Sequence, residues 1–298
     1  MSAKAVVVKP IELFSIKVKD YVQLVKLRLS LTVVFSSVMA YLIGVNGAIN
    51  WLSVFILGLG GFLVTGAANT FNQILEREFD AKMKRTANRP LASTRMQLSE
   101  AVIAAGLMTL AGITLLALFN PWTAFFGMLS LVIYAFLYTP LKRVSQVAIP
   151  VGAVPGALPT LIGVVAAEGM ISGLGLALFL IQFLWQFPHF WSIGWLGYQD
   201  YKNAGYQFIP EKDGKQDPAI GMQAFVYALL LIPAAVLPYY LGATGIVSCI
   251  LLIVMSLVYA VFAFNFYKKQ DRKAALGLMF FSFTYIPLGL VVLFLDKI

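Results

Sequence analysis

Nine long apolar runs, almost free of charge, leave this chain of 298 residues few ways to fold. They can be placed at 28–46, 51–74, 99–119, 122–140, 147–167, 171–195, 220–241, 245–267 and 274–295. A helix needs about 20 apolar residues to cross the hydrocarbon of a bilayer. Within lipid, only helices and closed barrels satisfy every backbone polar group. Barrel strands read as short alternating segments, whereas these runs are long, continuous and rich in Gly, Phe, Leu and Val. The expected fold class is therefore an all-α integral membrane protein, with about nine transmembrane helices in a single bundle around a central cavity. Composition agrees: 60% hydrophobic and 12% charged, against roughly half and a quarter in soluble domains. The one cysteine, Cys249, excludes an intrachain disulfide framework, and its setting (VSCILLIV) reads as a buried, inert thiol. No cleavable signal precedes the first run. Residues 1–27 instead read as an interfacial segment, with Phe14, Val18, Tyr21 or Val22 and Val25 at helical spacing beside Lys17, Lys19 and Asp20. The rest, 28–298, reads as one transmembrane domain.

Charge then orients the chain. Alternate gaps, such as VNGAIN and NPW, are short and nearly chargeless, and the others carry all but one of the 22 Lys and Arg residues. The exception is Lys297. By the positive-inside rule this puts the N-terminus in the cytoplasm and the C-terminus outside, across the inner (plasma) membrane. The net charge of +9 is thus a topology signal. No basic soluble face with stacking aromatics speaks for nucleic acid.

Two polar clusters interrupt this pattern. In NTFNQILEREFDAKMKRTANRP, Asn72, Glu76 and Asp80 lie four residues apart. Such a spacing drifts by only about 40° per step around a helix, so the three oxygen-bearing side chains share one face. Carboxylates at a membrane boundary carry a functional reading by default, and hard oxygens on one face suit Mg²⁺ shared with substrate phosphates. Glu78 points away from that face. The second cluster, WQFPHFWSIGWLGYQDYKNAGYQFIPEKDGK, follows the sixth run and contains Asp200. Four helices separate the clusters, so both return to one membrane side, as do Arg28, Arg89, Lys142 and Arg143. Carboxylates for a metal, interleaved with Lys and Arg for anionic oxygens, describe a diphosphate site at a membrane interface. Departure of diphosphate from an allylic carbon needs that arrangement. By contrast Lys268, Lys269, Arg272 and Lys273 read as solvated anchors. His189, the one histidine, reads equally as a packed ring or as a ligand, beside a kink expected at Pro188. The spacing of Trp185, Trp191 and Trp195 favours an interfacial belt over a substrate wall. VPGALPTLIG reads as a broken or closely packed helix opening onto the site. Walker, Rossmann, HExxH and serine-elbow motifs are missing.

At these residues the chain resembles the intramembrane aromatic prenyltransferases of the UbiA superfamily, and within it the heme-directed branch. The resemblance runs from VKLRLSL at Arg28 to the last run. Its most specific pieces are NQILEREFDAKMKRTANRPLAS, YTPLKRVS and WQFPHFWSIGWLGYQDYKNAGYQFIP. The superfamily motif Asn-x-x-x-Asp-x-x-x-Asp falls on Asn72, Glu76 and Asp80, with Glu in the middle place. The second motif, Asp-x-x-x-Asp, is reduced to Asp200, with Ala204 four positions on, as in the heme-using branch. The resemblance implies Mg²⁺ held by Asn72, Glu76, Asp80 and Asp200, and diphosphate bound by Arg28, Arg89, Lys142 and Arg143. It implies a porphyrin pocket at His189 and Trp185, where the histidine either ligates iron or hydrogen-bonds a propionate. The implied substrates are farnesyl diphosphate and heme B, the product heme O, and candidate partners a heme A synthase or a terminal oxidase assembly. Two rivals stand beside this reading. A prenyltransferase acting on a quinone precursor is expected to carry two acids in the second motif and to lack WQFPHFW. A secondary transporter of an anionic metabolite is expected to show inverted repeats, whereas these polar clusters recur on one side.

Overall fold

The computed structural model describes residues 10–298. Ten helices follow one another: α1 Pro10–Leu24, α2 Leu27–Gly44, α3 Trp51–Asp80, α4 Leu98–Ala117, α5 Pro121–Leu141, α6 Ala148–Glu168, α7 Gly173–Asn203, α8 Ala219–Tyr240, α9 Ile246–Lys269 and α10 Arg272–Leu295. Among the described residues, the nine from α2 to α10 are long and apolar enough to cross a membrane, and each coincides with one of the nine apolar runs. Local chemistry sets their starts. Asn50 accepts from the amides of Leu52 and Ser53, Asn120 from Thr123, Ser172 from Gly175 and Asp271 from Ala274, so the first orphan donors of α3, α5, α7 and α10 are satisfied. Gly169, at φ +77°, ends α6 in the left-handed conformation that favours glycine.

Two helices outrun their apolar stretches. The runs at 51–74 and 171–195 end well before α3 and α7 do, at Asp80 and Asn203. Hydropathy falls there while the helix goes on, because the polar side chains of α3 are still buried against neighbours: Asn69, Asn72, Gln73, Glu76 and Asp80 are each no more than 3% exposed. A two-stranded hairpin, β1 Glu211–Lys212 with β2 Lys215–Gln216, follows α7. Its turn is Asp213-Gly214, both at positive φ, the dipeptide that such tight hairpins favour.

Helix α1 lies against the same end of the bundle. Its buried Asp20 pairs with Arg95 at 3.0 Å, and Lys17 pairs with Glu100 at 2.8 Å. Val18, Tyr21 and Val22 face outward. Of the residues expected on that apolar face, the side chain of Phe14 lies outside the described residues, as do Lys4 and Lys9 among the basic residues.

Helices without a hydrophobic drive between them associate through small residues, and α2 meets α6 in that way. A Cβ on Gly163 would lie 2.1 Å from the Ser37 carbonyl oxygen and 2.8 Å from the Tyr41 amide nitrogen. Backbone cannot yield as a side chain tip can. Gly163→Val is expected to cost about 3 kcal/mol or more, read as a lowered thermal midpoint in detergent; a midpoint equal to the parent's would show that the helices are not held this closely. Helix α6 runs unbroken through Pro155 and Pro159, so the closely packed alternative holds. Ser130 donates to the Pro155 carbonyl at 3.2 Å, the acceptor that Pro159 cannot serve. At the end of the bundle away from the acidic residues, Lys297 donates to the Leu42 carbonyl at 3.0 Å and to that of Val45. There Asp296 accepts from the Ser248 amide at 2.7 Å. The last residues thereby tie α2 to the start of α9.

Candidate active site

The shared face predicted for Asn72, Glu76 and Asp80 exists, buried at the end of α3. Asn72 Nδ2 donates to Glu76 Oε2 at 2.8 Å and to Thr139 Oγ1 at 3.0 Å. Thr139 is placed by a widened turn over Ile133–Tyr138 in α5, just before Pro140, which has no N–H to give. Its hydroxyl donates back to the Tyr134 carbonyl at 2.8 Å.

Three cations close on this face from three different connections. Lys142 Nζ stands 2.6 Å from Glu76 Oε1. Arg89 grips both oxygens of Asp80, at 2.8 and 2.7 Å. Lys26 donates to Asn72 Oδ1 at 2.9 Å. Two of these, Arg89 and Lys142, were expected from the sequence. Lys26 was not, and the reason it arrives is conformational. Between α1 and α2 the chain turns through Lys26 at φ 49°. The carbonyls of this turn also accept from α3: Gln73 Nε2 donates to those of Gln23 and Leu24 at 3.0 and 2.8 Å, and Asn69 Nδ2 to that of Val25 at 3.3 Å. The break aims Lys26 inward, and Arg28, two residues on, points outward and is exposed. The available signal was the pair Asn69 and Gln73, two amides on the acidic face with no assigned task.

Arg143 turns away from the acids. It donates to the Leu75 carbonyl and stacks 4.2 Å over the Phe79 ring. Asp200, expected to complete the metal set, is exposed near the end of α7 and makes no side-chain hydrogen bond among the described residues. Tyr206 takes the place nearest Glu76 on that side, held down by Gln207, whose amide donates to the Lys142 carbonyl at 3.0 Å. Burial first, and then the Glu76 charge, push the Tyr206 phenol above its ordinary value, so it stays a neutral donor beside the carboxylate. Burial, followed by the nearby Arg89, pulls Lys26 down to about 7. Three basic side chains thus face two carboxylates, and an incoming anion would favour the charged form of Lys26.

Magnesium fits this donor set. The oxygens are hard, and the buried Glu76 Oε1 has no well-aligned hydrogen bond even with Lys142 beside it. Among the described residues no three His, Cys, Asp or Glu side chains stand together closely enough to hold a metal alone; magnesium ordinarily takes the rest of its shell from substrate phosphates and water.

An apolar cavity of about 250 Å³ opens below the polar cluster. Asn69, Tyr134 and Tyr138 form its polar end, and Tyr134 reaches Lys26 at 3.5 Å. Gly156, Pro155 and Trp185 line it deeper down. So do Leu29 and Phe283, both about half exposed on the outer surface, so the cavity reaches the lipid-facing side between α2 and α10. Spacing favoured a belt for the tryptophans; instead Trp185 is a cavity wall, Trp191 is buried at 6% exposure, and Trp195 packs on Phe266. Residues from five other helices meet α7 there, which periodicity on α7 alone does not reveal. His189 lies at the rim, stacked on Trp185 with centroids 4.8 Å apart, in a helix that continues through Pro188.

Comparison with known proteins agrees with this geometry. Residues 33–284 match the UbiA prenyltransferase family. The protoheme IX farnesyltransferase of Cytophaga hutchinsonii is 42% identical over 93% of this chain and 97% of its own. That of Flavobacterium psychrophilum is also 42% identical, over 93% of this chain and 94% of its own. Among solved structures, a digeranylgeranylglyceryl phosphate synthase superposes with a TM-score of 0.79 at 20% identity, covering 94% of this chain and 98% of that one. A UbiA homologue from Archaeoglobus fulgidus bound to GPP and Mg²⁺ superposes at 0.65 with 17% identity, covering 92% and 99%. At such identities the likeness establishes the fold.

Proposed function

This chain is a member of the UbiA prenyltransferase family, a multi-pass membrane protein, and on that premise we propose that it transfers the farnesyl group of farnesyl diphosphate to a vinyl group of protoheme IX (heme B), giving heme O. The observation that carries the reading is the buried acidic face of α3, ringed by Lys26, Arg89 and Lys142 at the mouth of an apolar cavity. The names of its relatives supply the acceptor. Ala204, where a second carboxylate is expected for quinone precursors, speaks against that rival.

Bound magnesium supplies positive charge to the oxygens of the departing diphosphate. Asn72, Glu76 and Asp80 are the side chains that would hold it, with Asp200 a fourth candidate from the far connection. The residues of the chain do the rest. As diphosphate enters, Lys142 and Arg89 exchange carboxylate oxygens for phosphate oxygens, and Lys26 adds a charge that has no carboxylate of its own. Charge-assisted bonds of this kind strengthen as the C–O bond breaks and the leaving group gathers charge. Tyr134 and Tyr138 line the polar end of the cavity, where their rings would stabilise an allylic cation. The apolar walls hold the isoprenoid and keep water from that cation. The vinyl carbon attacks it, and water then quenches the porphyrin-stabilised cation as a hydroxyl. No strong general base is needed until that last proton leaves, and diphosphate can take it.

By the positive-inside rule the distribution of basic residues supports an acidic site on the cytoplasmic side of the inner membrane, with α1 along the interface. Reporter fusions after Asn46, Asn120 and Glu168 are expected to read as outside, and fusions near Lys84, Lys142 and Lys212 as cytoplasmic. The reverse pattern would put the site where its diphosphate substrate is not made. A heme A synthase or terminal oxidase assembly is the partner this product calls for. The reaction itself is tested with purified protein, farnesyl diphosphate and Mg²⁺. Pyrophosphate release is expected to depend on added heme and to stop with a chelator, and the extracted pigment to carry the farnesyl group. Release with a quinone precursor and none with heme would overturn the reading.

A further inference from the structure

His189 is held by one hydrogen bond and three rings, those of Trp185, Phe190 and Phe283, and the hydrogen bond has a direction. Its Nδ1 lies 2.7 Å from Ser282 Oγ. That same oxygen lies 2.5 Å from the carbonyl of Met279, one turn back in α10. A serine hydroxyl has a single proton. A carbonyl can only accept, so the Ser282 proton is committed to Met279, as serines in helices commonly do. Ser282 Oγ must then accept from the imidazole, which puts the ring proton on Nδ1. In the neutral ring, Nε2 is left with a lone pair and no proton. Among the described residues the contact with Ser282 is the ring's one hydrogen bond.

The surroundings hold this arrangement rigidly. Trp185 Nε1 donates to the Ser282 carbonyl at 2.9 Å, which fixes α10 against α7 at this level. The Trp185 carbonyl in turn accepts from Tyr259 at 3.2 Å. The Trp185 indole stacks on the imidazole at 15°, and Phe283 meets it edge-on at 5.3 Å. Trp185, Phe190 and Phe283 all line the cavity, so His189 stands at its rim, partly exposed, where a flat apolar substrate would come in from the lipid.

We propose that Ser282 is a positioning residue that fixes His189 as the Nδ1–H tautomer and so presents Nε2 as an axial ligand to the iron of the heme substrate. The inference rests on the heme reading above and goes one step past it. Of the two roles open to His189, iron ligation needs a lone pair on Nε2, whereas bonding a propionate needs a proton there. The Ser282 contact selects the first. The nitrogen donates its pair to iron; no electron is transferred and no proton moves. A hydrogen bond at the far nitrogen is also what orients a ligating histidine and raises its basicity.

The test uses the full-length protein in nanodiscs, titrated with heme B in the ferric state and then reduced. Ferrous parent protein is expected to show an iron–histidine stretching band by resonance Raman. In Ser282→Ala the band should move to lower frequency and heme affinity fall on the order of tenfold, while Ser282→Thr, which keeps the hydroxyl, should behave as the parent. In His189→Ala the band should vanish and return when imidazole is added. Binding of farnesyl diphosphate, measured on each variant, should stay at the parent value. A parent spectrum without the band, a His189→Ala spectrum that keeps it, or a Ser282→Ala protein matching the parent in both band and affinity would each overturn the proposal. So would equal losses of heme and farnesyl diphosphate in His189→Ala, since the ring would then only brace the helix. Farnesyl transfer to heme by a parent protein that shows no band would overturn the ligation alone. Transfer to another acceptor and none to heme would overturn the functional reading.

Discussion

Asp80→Asn is expected to lower farnesyl transfer by about a thousandfold or more, close to 4 kcal/mol of lost transition-state stabilisation, while the protein still inserts and folds. Asp80 is 1% exposed and takes both bonds from a single Arg89 nitrogen, so its charge is held at one point and cannot be supplied by solvent. Asparagine keeps the shape and one acceptor but removes the negative charge that a divalent cation requires. Alanine should be as inactive, with some added instability from an Arg89 left without its partner. Glu76→Asp should be much milder, because the carboxylate survives and only its reach changes. Pyrophosphate release at saturating Mg²⁺, alongside a thermal midpoint, checks the set. Full turnover by Asp80→Asn would remove this carboxylate from the metal site.

Lys26→Met should cost on the order of a hundredfold in kcat/KM, and Arg28→Gln no more than about threefold. The two residues are neighbours but one, and sequence reading chose Arg28. In the structure Lys26 is the one turned toward the acidic face, its Nζ 2.9 Å from Asn72 Oδ1 and 3.5 Å from the Tyr134 hydroxyl. Burial, ahead of the neighbouring Arg89, pulls its ammonium down to about 7, so replacing it with an apolar chain of similar length should leave the thermal midpoint of the substrate-free protein unchanged or higher. Activity and stability would then move apart, as expected of a charge kept for a ligand. Lys26→Arg retains the charge and should keep much of the rate. Equal effects of Lys26→Met and Arg28→Gln would show that both cations reach the diphosphate, or that neither does.

How far the sequence reaches depends on whether a property is local. The nine spans are set by runs of side chains that water will not accept, and each run is contained in its own segment. The face shared by Asn72, Glu76 and Asp80 follows from helical pitch alone, and Glu78 duly lies on the solvent side, paired with Arg77 at 3.3 Å. Buried Cys249 follows from its neighbours. The basic gaps also declared which end of the bundle would gather polar residues, and Arg89 and Lys142 are found there.

What the sequence could not decide is which of many side chains at that end turn inward. Lys26 enters because Asn69 and Gln73, on another helix, take the carbonyls of the broken turn before it. Arg143 is drawn off to the Leu75 carbonyl and the Phe79 ring, and Asp200 stays in solvent while Tyr206, six residues later, is buried beside Glu76. Trp185 became a wall because α10 supplies the acceptor for its indole nitrogen. The proton on His189 was decided by Ser282, 93 residues away in the chain. Burial, pitch and capping are properties of a segment and can be read from it. A hydrogen-bond partner from another helix is a property of the assembled bundle, and only its packing determines which donor meets which acceptor.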